Sequence, residues 1–256
     1  MQVFTAYHTD AGIEKETNQD SLCLRVAESS LGLIVMAVVC DGMGGLAKGE
    51  LASASVIRAF SNWFDTELEN QLKEGFNEDI ANRWNKIIKE QNQRIGTYGK
   101  SERIDLGTTI AALLIIGTKF MLIGYVGDSR IYRIGNKLEQ LTEDQTIVQL
   151  EVSKGKLTPE QAKTDSRRSV LLQCIGASKN VTPEFIKGKA DVGEAFLLCS
   201  DGFRNEISDD EIFSALRPDE LIDETDMKKK LVELVEKNKQ RQEKDNITAM
   251  LLYLEG

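Results

Sequence analysis

The sequence holds a single histidine, His8, among 256 residues. A zinc centre built from His and Cys therefore has almost no material, and no histidine base is on hand to activate a serine nucleophile such as Ser200. Its four cysteines, Cys23, Cys40, Cys174 and Cys199, show no C-x-x-C spacing and all lie in apolar stretches, which predicts buried, reduced thiols. Basic clustering is confined to Lys228-Lys229-Lys230, on the solvated face of a helix expected over residues 225–240, while the net charge is −9. Nucleic acid is thereby excluded as a partner. No apolar run approaches the roughly 18 residues needed to span a bilayer. Residues 1–10 lack a basic segment followed by an apolar one, so no membrane contact and a cytoplasmic location are expected. Low-complexity tracts, internal repeats and linkers are absent too, which predicts one domain over residues 1–256, and nothing signals an oligomer, so a monomer is expected.

What the sequence does have is aspartate at the ends of apolar runs. Residues 32–40 stop at Asp41 in Asp41-Gly42-Met43-Gly44-Gly45, residues 120–126 at Gly127-Asp128-Ser129-Arg130, and residues 195–199 at Ser200-Asp201-Gly202. Asp245-Asn246 comes just before the last such run, residues 247–254. Short runs of Val, Ile, Leu and Phe bounded by glycine read as buried strands. In an antiparallel sheet the end of one strand lies beside the start of the next, so these acids can meet at one edge. Such a cluster is unfavourable without compensation, because like charges repel and burial adds a desolvation cost. A bound divalent cation removes the conflict, and an all-oxygen ligand set suits Mg²⁺ or Mn²⁺. Strand-end Asp-Gly is ordinary turn chemistry in any one place. Four occurrences on the most apolar strands favour the metal reading.

The remaining pattern supplies the architecture. Strands are expected at residues 2–7, 21–26, 108–116, 119–126, 131–134 and 137–141, with two-residue hairpin connections at Gly117-Thr118 and Gly135-Asn136. Long helices are expected over residues 49–72 and 78–98, their Trp63, Phe64 and Trp84 spaced as one buried face. Residues 144–176 are polar and helical in places, with Thr158-Pro159-Glu160 as a helix start, and read as an insertion over the sheet edge. Ser208-Asp209-Asp210-Glu211 is a capping box. The fold class that follows is α+β: two packed antiparallel β-sheets flanked by helices on both outer faces.

In order and spacing these segments resemble the metal-dependent Ser/Thr protein phosphatases of the PP2C (PPM) family, in their compact bacterial form. The resemblance begins with Thr9-Asp10-Ala11-Gly12, Lys15 and Asn18-Gln19-Asp20, and continues through the Asp41 segment with Gly49-Glu50 and Ala52-Ser53. Gly107-Thr108-Thr109, the Asp128 segment, Leu141-Thr142-Glu143-Asp144, the Asp201 segment and Asp245-Asn246-Ile247-Thr248 complete it. It implies that Asp41 bridges two Mg²⁺ or Mn²⁺ ions, with the Gly42 carbonyl on one and Asp201 and Asp245 on the other. Asp128 corresponds to a position that, with Asp201, helps hold a third, weaker ion. Asn18, Gln19 and Asp20 belong to the segment that contacts metal-bound waters, and Asn246 orients a ligand. Residues 144–176 match the variable flap beside the active site. The implied activity is hydrolysis of phosphoserine and phosphothreonine by a metal-activated bridging water without a phosphoenzyme, on proteins phosphorylated by a cytoplasmic Ser/Thr kinase.

Three departures bear on that expectation. The family usually has arginine where Lys15 stands, so phosphate binding by Lys15 rests on a point charge rather than a two-pronged grip. Gln19 replaces a common glutamate and contributes no charge. Met43 stands where eukaryotic relatives carry a histidine general acid and cannot donate a proton. Two rival readings are a catalytically weak or inactive pseudophosphatase that binds phosphoproteins, and an unrelated phosphohydrolase with an aspartyl nucleophile. The first commonly lacks a metal ligand, and the second wants an Asp-x-Asp motif that Asp41-Gly42-Met43 does not supply. Arg130 is expected to form a structural salt bridge, and Thr108 and Thr109 to serve packing.

Overall fold

A computed structural model of the chain describes residues 1–44, 48–74 and 79–256, so Gly45 and the expected start of the second long helix at residue 78 lie outside the described residues. Two five-stranded antiparallel sheets form the centre. One contains β1 (Gln2–Asp10), β8 (Arg130–Ile134), β9 (Leu138–Gln140), β11 (Ala195–Cys199) and β12 (Ile247–Glu255), in the order β1-β12-β11-β8-β9. The other contains β2 (Ser21–Ser29), β3 (Gly32–Cys40), β6 (Ile110–Ile116), β7 (Phe120–Val126) and β10 (Glu184–Gly188), in the order β10-β7-β6-β3-β2. A small ribbon pairs β4 (Gly42–Gly44) with β5 (Leu106–Thr108).

Strands buried on both faces explain why β3 and β6 read as continuous apolar runs. Val35, Ala37 and Val39 face the opposite sheet and pack with Phe196, Leu198, Met250 and Leu252. The intervening Met36, Val38 and Cys40 face outward onto α1 (Gly49–Thr66) and α3 (Asp79–Glu102) through Phe60, Trp63 and Trp84. On the other outer face Leu197, Cys199 and Leu251 meet α7 (Asp209–Leu216) and α8 (Glu224–Gln240) through Ile212, Leu231 and Val235. The four layers are therefore helix, sheet, sheet, helix, as expected.

Details differ from the sequence expectation. The first long helix breaks at Glu67, whose backbone N–H caps the Trp63 carbonyl, and a separate α2 (Leu68–Glu74) follows. The strand expected over residues 108–116 divides at Thr109, because Thr108 pairs with Gly42 while Ile110 pairs with Val126. Both hairpins have three-residue connections, since Ile116 faces Phe120 and Ile134 faces Leu138. Strand β10 was not legible: Glu184–Gly188 is a half-buried edge strand without an apolar run. The 144–176 segment contains α4 (Ile147–Ser153) and α5 (Pro159–Thr164), the latter opened by a complete capping box on Thr158 and Gln161. Ser208 and Glu211 form the other capping box. All four cysteines are buried and free. No helix among the described residues is long and apolar enough to cross a membrane.

Candidate active site

The chain crosses between the sheets three times at the same end of the sandwich, once through residues 141–183 and twice through the loops where the acids gather. From β1 to β2 it passes through residues 11–20, and from β7 to β8 through Gly127-Asp128-Ser129. Ser21 pairs with Cys40, which sets Asp20 and Asp41 side by side just past that rung. Cys199 lies between Arg130 and Ala249, so Asp201, Asp128 and the residues before Ile247 extend from neighbouring strands of the other sheet. Asp201 opens the short helix α6 (Asp201–Arg204) rather than simply ending a strand.

The electrostatics record the convergence. Burial raises the Asp41 carboxyl well above its ordinary range, and the charges of Asp20, Asp201, Asp128 and Asp245 push it further. Burial likewise lifts Asp20 to about 7, with Asp201 and Asp245 adding to the effect against hydrogen bonds from Thr248 and Ser200. Asp128 is raised to about 7, first by burial and then by Asp201. Carboxylates pushed upward by one another are short of positive charge.

Backbone contacts hold the cluster. Asp41 N–H donates to Thr109 Oγ1 at 3.0 Å, and the Asp41 carbonyl accepts from Thr109 N–H and Thr108 Oγ, both at 2.9 Å. These two threonines therefore pin a site residue, a role that packing alone had been expected to explain. Thr109 Oγ1 also bonds Ser129 Oγ at 2.7 Å, tying Asp41 to the loop that carries Asp128. Gly42 is wedged so tightly that a Cβ would lie 2.3 Å from the Gln19 carbonyl and 2.4 Å from that of Gly49. A Cβ on Gly202 would lie 2.2 Å from the Asn246 carbonyl, with the Asp245 Cβ at 3.5 Å.

The 11–20 loop is clamped from several sides. Asn246 accepts from Gln19 N–H at 2.8 Å and donates through Nδ2 to the carbonyls of Ala11 at 2.9 Å and Thr17 at 3.1 Å. Asn18 Oδ1 accepts from Asp20 N–H at 3.0 Å. Ser53 Oγ donates to the Gln19 carbonyl at 2.6 Å. Fully buried Ser200 donates to Asp20 Oδ2 at 2.9 Å and accepts from Thr248 N–H at 3.0 Å. Lys15 reaches Asp245, its Nζ 3.2 Å from Oδ1, with both side chains nearly half exposed.

Arg130 forms the expected salt bridge, a bidentate pair with Asp144 at 2.7 Å for both bonds. Arg204, which carried no sequence signal, lies beside it. Its Nη2 is 3.1 Å from the Asp128 carbonyl, 3.4 Å from Asp128 Oδ2 and 3.3 Å from Asp144 Oδ2. A cleft of about 680 Å³ runs from Asp128, Asp201 and Arg204 beneath α4 and α5, past Lys163 and Arg168.

The donor set fits a pair of hard cations. Oδ1 of Asp20 and Oδ1 of Asp201 are buried and have no hydrogen-bond partner among the described residues. Buried carboxylate oxygens without donors are costly, and a cation satisfies them. Among the described residues no three His, Cys, Asp or Glu side chains are already arranged to hold a metal ion by themselves. Lys15 sits on Asp245, and hard ions also accept backbone carbonyl and water ligands in place of a full protein cage.

Residues 9–251 match the sequence model of the family described as protein phosphatase 2C. The chain is 32% identical over 209 residues to protein phosphatase PhpP of Streptococcus pneumoniae, covering 80% of each. It is 32% identical over 215 residues to serine/threonine protein phosphatase PstP of Mycobacterium tuberculosis, covering 83% of this chain but only 38% of that protein's length. The crystal structure of the PstP catalytic domain in complex with two manganese ions superposes with a TM-score of 0.79 at 28% identity, over 99% of both chains.

Proposed function

Because the chain belongs to the protein phosphatase 2C family, we propose that it is a Mg²⁺- or Mn²⁺-dependent hydrolase of phosphoserine and phosphothreonine in proteins. The observation that carries this reading is the strand register that brings Asp41, Asp20, Asp128, Asp201 and Asp245 to one end of the sandwich. In it Asp41, the Gly42 carbonyl, Asp201 and Asp245 are the groups that would hold the ions. Bound there, two such cations supply Lewis acidity towards a phosphoryl oxygen and lower the pKa of water to near neutrality.

The chain's own residues orient and bind. Asp20, Gln19 and Asn18 lie on the loop that Asn246 holds beside Asp245, where Asp20 Oδ1 is free to accept a hydrogen bond from water. Asn246 keeps that loop in register with Asp245. Were Asp245 to hold an ion, the Lys15 ammonium would be available to a phosphate oxygen, which as a point charge it would bind less tightly than a guanidinium does. Ser200 is no nucleophile, since its hydroxyl is committed to Asp20 and to Thr248 N–H. A phosphoenzyme on that residue is thus disfavoured.

The same reading makes residues 1–256 one catalytic domain, monomeric and cytoplasmic, with residues 144–176 as a flap that helps select phosphorylated proteins made by a Ser/Thr kinase. Asp41, Asp201 and Asp245 are all present, which disfavours a relative that only binds. The test is hydrolysis of a phosphothreonine peptide with and without Mn²⁺, beside Asp201→Asn. Mn²⁺-dependent turnover that the variant loses supports the phosphatase; peptide binding without turnover would overturn it.

A further inference from the structure

The Asp128 carboxylate is already served by a cation, and that cation belongs to the protein. Arg204 follows Asp201 by three residues on α6, so the two side chains share a helix face. Its guanidinium contacts Asp128 twice, through the carbonyl at 3.1 Å and Oδ2 at 3.4 Å, and reaches Asp144 Oδ2 at 3.3 Å. The Arg204 side chain is only 12% exposed, and those of Asp128 and Asp144 are 7% and 13% exposed. Arg130 closes the group by gripping Asp144 with both prongs. Two arginines thus face two aspartates, and their formal charges cancel without any bound ion.

From this arrangement we infer that the Asp128 side of the position where the sequence resemblance implies a third ion is taken in this protein by the Arg204 guanidinium, which contacts Asp128 and Asp144. The residues present do not fit a third divalent cation. An ion there would stand against a fixed positive charge in a poorly solvated setting and would disturb the contacts that Arg204 makes with Asp128 and Asp144. The contrast with the other acids is direct. Asp201 Oδ1 and Asp20 Oδ1 lack a protein donor among the described residues, whereas Asp128 Oδ2 has Arg204. The protein is therefore a two-ion enzyme whose third position is filled by a side chain. This rests on the two-ion reading above.

Counting bound Mn²⁺ tests the inference without reference to turnover. Free Mn²⁺ is followed by its electron paramagnetic resonance signal as the ion is titrated into the wild-type protein, Arg204→Met, Asp128→Asn and the double variant. Circular dichroism checks that each is folded. Wild type is expected to saturate at two ions through the millimolar range, and Asp128→Asn to saturate at the same two, since its carboxylate holds none. Arg204→Met is expected to gain a weak third site, which the double variant loses. A third ion in wild type, a lower count in Asp128→Asn, or a folded Arg204→Met that stops at two would each overturn the inference. Should Arg204→Met fail to fold, the wild-type and Asp128→Asn counts still decide it. Wild type that binds no Mn²⁺ would overturn the two-ion reading and this inference with it, whereas a third ion overturns this inference alone.

Discussion

Lys15 Nζ stands 3.2 Å from Asp245 Oδ1, so a cation of the protein rests on a carboxylate that the two-ion reading assigns to a metal. The pair is nearly half exposed and its removal should change stability by less than about 1 kcal/mol. Its consequences lie in binding. Lys15→Met is expected to tighten Mn²⁺ binding measured by calorimetry, because Asp245 is freed, and to raise KM for a phosphothreonine peptide by about tenfold, as loss of one charge-assisted contact implies. An unchanged KM would remove Lys15 from the phosphate site.

The raised carboxyls give the metal-free protein a distinctive pH dependence. Asp20 and Asp128 are held up to about 7 by burial and like charge, and Asp41 is raised from the same causes. Between their ordinary value of 3.8 and about 7 the folded state keeps protons that the unfolded chain has released. Stability therefore falls as pH rises through that window, by up to about 1.4 kcal/mol per pH unit for each such carboxyl. Asp10 and Asp144, lowered by their hydrogen-bond and cationic partners although burial opposes the shift, act oppositely and only as pH falls towards and below 3.8. Calorimetric melting without metal should show a lower Tm at pH 8 than at pH 5. Added Mn²⁺ should raise Tm most at pH 8, because coordination displaces the protons. A Tm without metal that climbs from pH 5 to pH 8 would contradict the assignment.

Gly42 has no room for a side chain between two backbone carbonyls, at 2.3 Å and 2.4 Å from a modest Cβ. Gly42→Ala should destabilise the protein by about 1–3 kcal/mol in chemical unfolding, since neither carbonyl belongs to a flexible side chain. Weaker Mn²⁺ binding should accompany the loss, because the Gly42 carbonyl is displaced. Unchanged stability would mean that the close approach is not retained in solution.

Thr109 accepts the Asp41 N–H and shares a hydrogen bond with Ser129. Thr109→Val keeps the shape but orphans that N–H, at a cost of about 1–3 kcal/mol. Mn²⁺ affinity should fall about 10–100-fold, the usual range for residues that orient a ligand. Equal affinity in calorimetry would return Thr109 to a packing role.

How far the sequence could be read depended on what kind of signal each residue leaves. The apolar runs of β3, β6, β7, β11 and β12 and the spacing of Phe60, Trp63 and Trp84 reveal the four layers because burial on a face imposes a period. Asp41, Asp128, Asp201 and Asp245 were legible because each stands at the edge of such a run. Edge strand β10 was not, being half-buried and mixed in character. Thr108, Thr109 and Ser200 act through short hydrogen bonds to backbone or carboxylate, which leave no periodic trace. Arg204 was missed for a different reason: its partners, Asp128 and Asp144, are 76 and 60 positions away, and only the fold brings them together.

The central claim is that carboxylates from both sheets hold a pair of divalent cations around Asp41. The most direct measurement is an anomalous difference map from crystals soaked in Mn²⁺ and recorded at the manganese absorption edge. Two peaks sharing Asp41, one beside the Gly42 carbonyl and the other between Asp201 and Asp245, are the predicted result. A map with no peak at Asp41, or with Lys15 still seated on Asp245 at saturating Mn²⁺, would contradict it.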